Sequence, residues 1–169
     1  MKQLSKFATW NNTRLSMQTH PTTRDLARLL LAYEAVATQT SEPMEATTLR
    51  VYEKLRQSLG EFVGVAGFQS LAFRALTQAK SEAPILWSVR VEPDGSIQGL
   101  GDVVPQPVEV EPQLGSANDQ ASEGGVALIA RLLGLLRIFL GEALTLSLLR
   151  NAWPCEVFED RNPVHGRKA

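Results

Sequence analysis

Residues 124–154, GGVALIARLLGLLRIFLGEALTLSLLRNAWP, form the stretch around which the chain organises. Fourteen of the positions from Val126 to Leu149 are Val, Leu, Ile or Phe, with Gly124 and Gly125 before them and Pro154 after. A loop signal on one side and a breaker on the other delimit one long helix. At 100° per residue, Leu132, Leu133, Leu135, Leu136, Phe139, Leu140, Ala143 and Leu146 share a wide apolar face. Arg131, Arg137, Glu142, Thr145 and the glycines lie opposite, together with Ile138, Leu148 and Leu149. A helix this apolar on nearly all sides is expected at the middle of a bundle.

Its length would also suffice for a membrane span, which needs roughly 20 apolar residues. Three central charges oppose insertion by about 2.5–3.5 kcal/mol each, and each Leu-like residue favours it by about 0.3–0.6 kcal/mol. The two sums nearly cancel. No belt of basic residues flanks the segment, and its charges are arranged amphipathically, so a core helix is the expectation and membrane attachment the alternative.

Ala127, Gly134, Gly141 and Leu148 recur every seven residues, and such small residues let a second backbone approach closely. Arg131, Arg137 and Glu142 flank this stripe without an opposite charge three or four residues away. The stripe serves either packing within the domain or a symmetric dimer. In an antiparallel pair, Gly134 would face Gly141, Ala127 would face Leu148, and Arg131 would approach the partner's Glu142, as a two-fold axis requires.

The 169 residues are enough for one good core. With 44% hydrophobic and 21% charged residues the composition is that of a globular protein. A net charge of −1 argues against general nucleic-acid binding, which neutralises many phosphates. The charge is unevenly placed: residues 1–90 sum to +4 and residues 91–169 to −5. The single cysteine, Cys155, excludes an internal disulfide. The polar first twenty residues lack the apolar run of a secretory signal. A cytoplasmic location is the expectation.

In chain order, residues 1–20 read as an N-terminal arm anchored by Trp10. A helix is predicted from about Thr23 to Thr38, capped by Thr22 with Asp25 in its first turn, burying Leu26, Leu29, Leu30, Tyr33 and Val36 or Ala37. A second helix begins near Ser41–Glu45, with Leu49, Tyr52, Leu55, Leu59 and Phe62 as its stripe. After GEFVGVAG, a third runs to about Lys80 and buries Phe68, Leu71, Ala72, Ala75, Leu76 and Ala79, leaving Phe73 outside as a candidate contact. A phosphate loop at Gly60, Gly64 and Gly67 would follow a strand; a helical hairpin suits these glycines better. Residues 85–100 alternate with period two around Pro93-Asp94-Gly95-Ser96 and predict a β-hairpin, with Trp87 facing the helices. Residues 101–123 carry five acids, three prolines and no Lys or Arg, the composition of a flexible linker. Residues 154–169 read as a mobile tail.

The fold class expected is therefore mainly α. It is a single domain over residues 21–153, about four helices around a long apolar C-terminal helix, with one β-hairpin. His20, Cys155 and His165 have no spacing that would hold a metal or build a nucleophile pair, and the chain contains no His-Glu-x-x-His, nucleophile-elbow or Walker-type sequence. Glu142 in apolar surroundings could act as an acid or base; the expectation is that it reaches solvent or pairs with an arginine of a neighbouring helix, Arg28 or Arg74. No cofactor and no metal are implied. The function expected is that of a non-enzymatic regulatory or adaptor protein, acting by contact with another protein or with itself. The contacts expected are Ala127, Arg131, Gly134, Arg137, Gly141, Glu142, Thr145 and Phe73. A sensor domain holding an apolar small molecule between the long helix and the Trp87 hairpin is the alternative.

Overall fold

The computed structural model describes residues 22–38, 43–101, 117–154 and 156–159. The expected N-terminal arm, Ser41, most of the linker, Cys155 and residues 160–169 lie outside these. The described elements are α1 (Thr23–Ala37), α2 (Met44–Glu82), a 3-10 turn (Pro84–Ser88), β1 (Arg90–Val91), β2 (Ile97–Gln98), α3 (Ala117–Leu140), α4 (Glu142–Ala152) and the single turn α5 (Glu156–Glu159). The chain is mainly helical, with one two-stranded antiparallel hairpin.

The α1 helix starts where its sequence dictates. The Thr22 side chain accepts from the Asp25 amide, and Asp25 reaches back to the Thr22 amide, satisfying two orphan donors reciprocally. Its inner face is Leu26, Ala27, Leu30, Leu31 and Glu34; Val36 and Ala37 are exposed, contrary to the sequence reading, because the helix reaches its end there.

The α2 helix contains one non-helical residue, Gly64, at φ 72° and ψ 167°. Sixteen residues of straight helix would hold Tyr52 and Phe68 about 24 Å apart, yet their rings meet edge to face at 5.6 Å between centroids. The chain therefore reverses at Gly64, the helical hairpin expected of this glycine cluster. Only glycine adopts that conformation readily. The second half buries all six residues expected of it. In the first half, Leu49 and Phe62 are exposed instead of buried, and Thr48 and Val51 take the inner face. Tyr52, Leu55 and Leu59 are buried as expected, and the buried face extends to Thr48, where α3 approaches.

The α3 helix holds the central position, touching α1, α2, α4 and the 3-10 turn. Leu128, Ile129, Leu132, Leu133 and Leu136 are almost wholly excluded from solvent. Contact with α2 is made backbone to side chain: a Cβ at Gly125 would run into Thr48 Oγ1, which is already held by its bond to the Met44 carbonyl. Gly125→Ala is accordingly expected to lose about 1–3 kcal/mol of stability through overpacking. Gly60→Ala, with nothing within 4 Å of the new methyl, should be neutral or slightly stabilising by about 0.4–1 kcal/mol. Chemical denaturation of the two variants compares them directly.

The expectation of one unbroken helix through Leu149 is corrected. It ends at Leu140, and Gly141, at φ 80° and ψ 165°, turns the chain into α4. Leu136, Leu148, Leu149 and Ala152 line one small cleft with Leu55 and Leu59, so α4 folds back onto α2 and α3. Burying two leucines contributes about 1.5–3 kcal/mol each. The helical hydrogen bonds broken at the turn are worth about 0.5–1.5 kcal/mol each. Burial wins. Its consequence for the predicted face is that Phe139 is 61% exposed, while Leu148 and Leu149, assigned to the opposite side, are core.

Three smaller expectations change as well. Residues 84–88 form a 3-10 turn instead of a strand, with Leu86 buried and Trp87 71% exposed, because Pro84 starts a helical turn rather than an extended run. Residues 117–123, read as linker, are the first turns of α3. Within the expected tail, Val157 is buried on the core.

Candidate functional site

A cleft of about 600 Å³ opens between the first turn of α1, the last turns of α2 and the second half of α3. Thr22, Thr23 and Arg24 form one wall and Gln78 and Glu82 the other, with Ala130, Arg131, Gly134, Leu135 and Ile138 beneath. Gly134 deepens the floor. A Cβ there would meet only Thr23 Cγ2, at 4.0 Å, so the missing side chain leaves room for something else. Ile138, 78% exposed, stands at the edge.

The rim is charged. Glu82 accepts from Arg24 Nη2 at 2.7 Å and from Arg131, while Arg24 and Arg28 lie 3.8 and 3.6 Å from Glu123. Three arginines thus share two carboxylates across α1, α2 and α3. Desolvation pushes the Glu82 carboxyl up, but the hydrogen bonds and charges of Arg131 and Arg24 together outweigh it and hold it below the usual carboxylate range. A depressed folded-state pKa stabilises the fold above the unfolded value of about 4.3 and is lost as pH falls through the folded value. Melting temperature should therefore fall on acidification below about pH 4.3. Glu82→Gln should flatten that fall and, at neutral pH, cost about 0.2–1 kcal/mol per exposed pair lost.

Tyr52 behaves oppositely. Burial, with Glu53 next, drives its phenol pKa far above the ordinary value, and the hydroxyl donates to the Gly95 carbonyl at 2.7 Å. Its stabilisation is complete below the unfolded pKa of about 10 and is lost as pH rises towards the raised folded value.

The residues expected to make contacts separate into four places. Arg131 and Gly134 lie on the cleft. Ala127 and Thr145 are buried inside the chain, Thr145 donating to the Gly141 carbonyl at 2.8 Å. Arg137 donates to Glu142 at 3.0 Å across the Gly141 turn, a pairing that five residues of straight helix would not allow. Phe73 is 64% exposed on α2. The antiparallel register setting Gly134 on Gly141 and Ala127 on Leu148 is corrected: it needs one continuous helix, whereas Gly141 is a turn and both Ala127 and Leu148 are covered by their own chain. Arg28 is engaged with Glu123.

One constellation went unread in the sequence. Glu34, buried on the inner face of α1, takes a hydrogen bond from Trp153 Nε1 at 2.8 Å and pairs with Lys54, whose ammonium also lies 5.6 Å from the Trp153 ring centroid. The signal was available, since Glu34 continues the line of Leu26 and Leu30 at four-residue steps. Among the described residues no group of three His, Cys, Asp or Glu is placed to hold a metal, and no helix is long and apolar enough to cross a membrane. No protein-family profile, no curated protein and no solved structure matches the chain.

Proposed function

We propose that this chain is a non-enzymatic regulatory or adaptor protein that works by contact with other proteins, self-association included. The observation that supports the reading is the cleft over Gly134, open at its floor and rimmed by Arg24, Arg131 and Glu82. A side chain from a partner fits where Gly134 has none, and the rim arginines supply orientation. The lone Cys155 suits a cytoplasmic setting. Gly134→Leu tests the proposal cleanly, because leucine improves helix propensity by about 1 kcal/mol while filling the floor. Wild-type chain immobilised on a support should retain a partner that the Gly134→Leu chain does not. Equal retention by both, or none by either, contradicts the cleft as the contact surface.

The alternative of an apolar small molecule is moved by the geometry. Trp87 faces solvent, whereas the cleft volume lies within the ordinary range for ligand sites. Loss of a bound ligand in Gly134→Leu without any protein partner would favour this second reading.

A further inference from the structure

We infer that Gly141 is the hinge of a domain-swapped dimer, in which α3 and α4 join into one helix and α4 docks on a second copy of this chain. The inference rests on the self-association part of the proposed function and names its partner and surface.

Four observations carry it. First, the α3–α4 turn is a single residue, and it holds a conformation that only glycine adopts readily. Second, the N-cap of α4 is Gly141, which has no side chain to bond the first amides of the helix. The first amides of α4 and the last carbonyls of α3 are each other's natural partners, and straightening the turn would pair them. Third, the sequence from Val126 to Leu149 has helical periodicity throughout, with no proline, and of its two glycines Gly134 is helical and Gly141 alone turns the chain. Fourth, Ile138, Phe139 and Leu144 flank the turn and are exposed in the single chain, leaving apolar area at the hinge that a second copy can cover.

The occupant is fixed by identity. Whatever α4 satisfies on its own chain, the same α4 satisfies on another: Leu148 and Leu149 against Leu55, Leu59 and Leu136, and Trp153 on Glu34 and Lys54. A swapped dimer therefore repeats every seam contact and adds only the straightened hinge. The Arg137–Glu142 hydrogen bond is the exception, since residues five apart diverge on a straight helix. It favours the closed single chain. Gly64 has nearly the same conformation, but straightening there would part the Tyr52–Phe68 contact and require half of the core to be exchanged. At Gly141 only α4 and the residues beyond it must move.

The test is Gly141→Ala in the full chain, with native mass by light scattering from micromolar to millimolar concentration. Alanine disfavours the turn and favours the helix. If each hinge contributes about tenfold, the dimer should tighten about a hundredfold, with helical circular dichroism and burial of Trp153 retained. Because exchange requires α4 to detach, the isolated dimer should persist for hours after dilution, and mild denaturant should speed its return to monomer. A folded variant that stays monomeric overturns the hinge. So does a dimer that dissociates within seconds of dilution, which would leave surface self-association standing without the swap. If the variant does not fold, wild-type chain refolded from denaturant at millimolar concentration must yield the slowly dissociating dimer; its absence overturns the inference equally.

Discussion

Trp153→Ala is expected to lower the unfolding free energy by about 3–5 kcal/mol, the range for truncating a fully buried aromatic. The residue has 1% of its surface exposed and sits where α4 ends. It fills the space between α1 and α2 and gives the buried Glu34 carboxylate its indole hydrogen bond at 2.8 Å. Lys54 approaches both the carboxylate and the ring, so truncation removes a cation–π contact as well. Trp153→Phe separates these contributions. It keeps most of the apolar area but removes one of the two hydrogen bonds that Glu34 Oε1 accepts, the other coming from Lys54, for an expected loss of about 1.5–3 kcal/mol. Urea denaturation of both variants should rank them Ala below Phe below wild type. A Trp153→Ala protein as stable as wild type would mean that α4 is not docked.

The second large effect separates two residues that the sequence treats alike. Leu132→Ala is expected to cost about 2–5 kcal/mol, because its neighbours on α1 and α2 cannot close the cavity left at the middle of the bundle. Phe139→Ala, seven residues on and on the same predicted face, should stay within about 0.5 kcal/mol of wild type, as exposed substitutions do. The difference comes from Gly141. Had α3 continued, Phe139 would have shared the environment of Leu132. The turn ends the helix before that face is covered.

This contrast also marks how far the sequence was legible. Periodicity in the second half of α2 gave the buried residues correctly, because that helix lies on the core along most of its length; in α1 it gave Leu26 and Leu30 but not Ala27, Leu31 or Glu34. The Thr22–Asp25 cap was readable for a local reason: both partners sit within four residues. Reversal at Gly64 was legible because three glycines cluster there. Reversal at Gly141 was not, since a lone glycine inside an apolar helical pattern is ordinarily tolerated at about 1 kcal/mol. What decided it was distant: Leu55 and Leu59 of α2 offer Leu148 and Leu149 a covered seam. The Pro84–Ser88 turn failed for a similar reason. Alternation of Ile85, Trp87 and Val89 imitates a strand, but Leu86 is the side chain that the helices bury.

The candidate site was legible only in part. Arg131 and Gly134 were singled out as neighbours on a helix surface, and they do line the cleft. Their partners, Arg24 and Glu82, come from α1 and α2, and no spacing along the chain links them. For Glu142 the expected arginine was Arg28 or Arg74 of a neighbouring helix, because Arg137 becomes its neighbour only after the chain turns.

The central claim is that residues 126–149 are two helices folded against each other at Gly141. Spin labels at Glu123→Cys and Asn151→Cys, in a Cys155→Ser background at low concentration, measure it most directly. A single straight helix would hold the two positions about 42 Å apart. Folding back with packed helices about 8–10 Å apart brings them within about 25 Å. A main distance below about 25 Å in the monomer is the expected result, and one centred near 42 Å would contradict the fold described above.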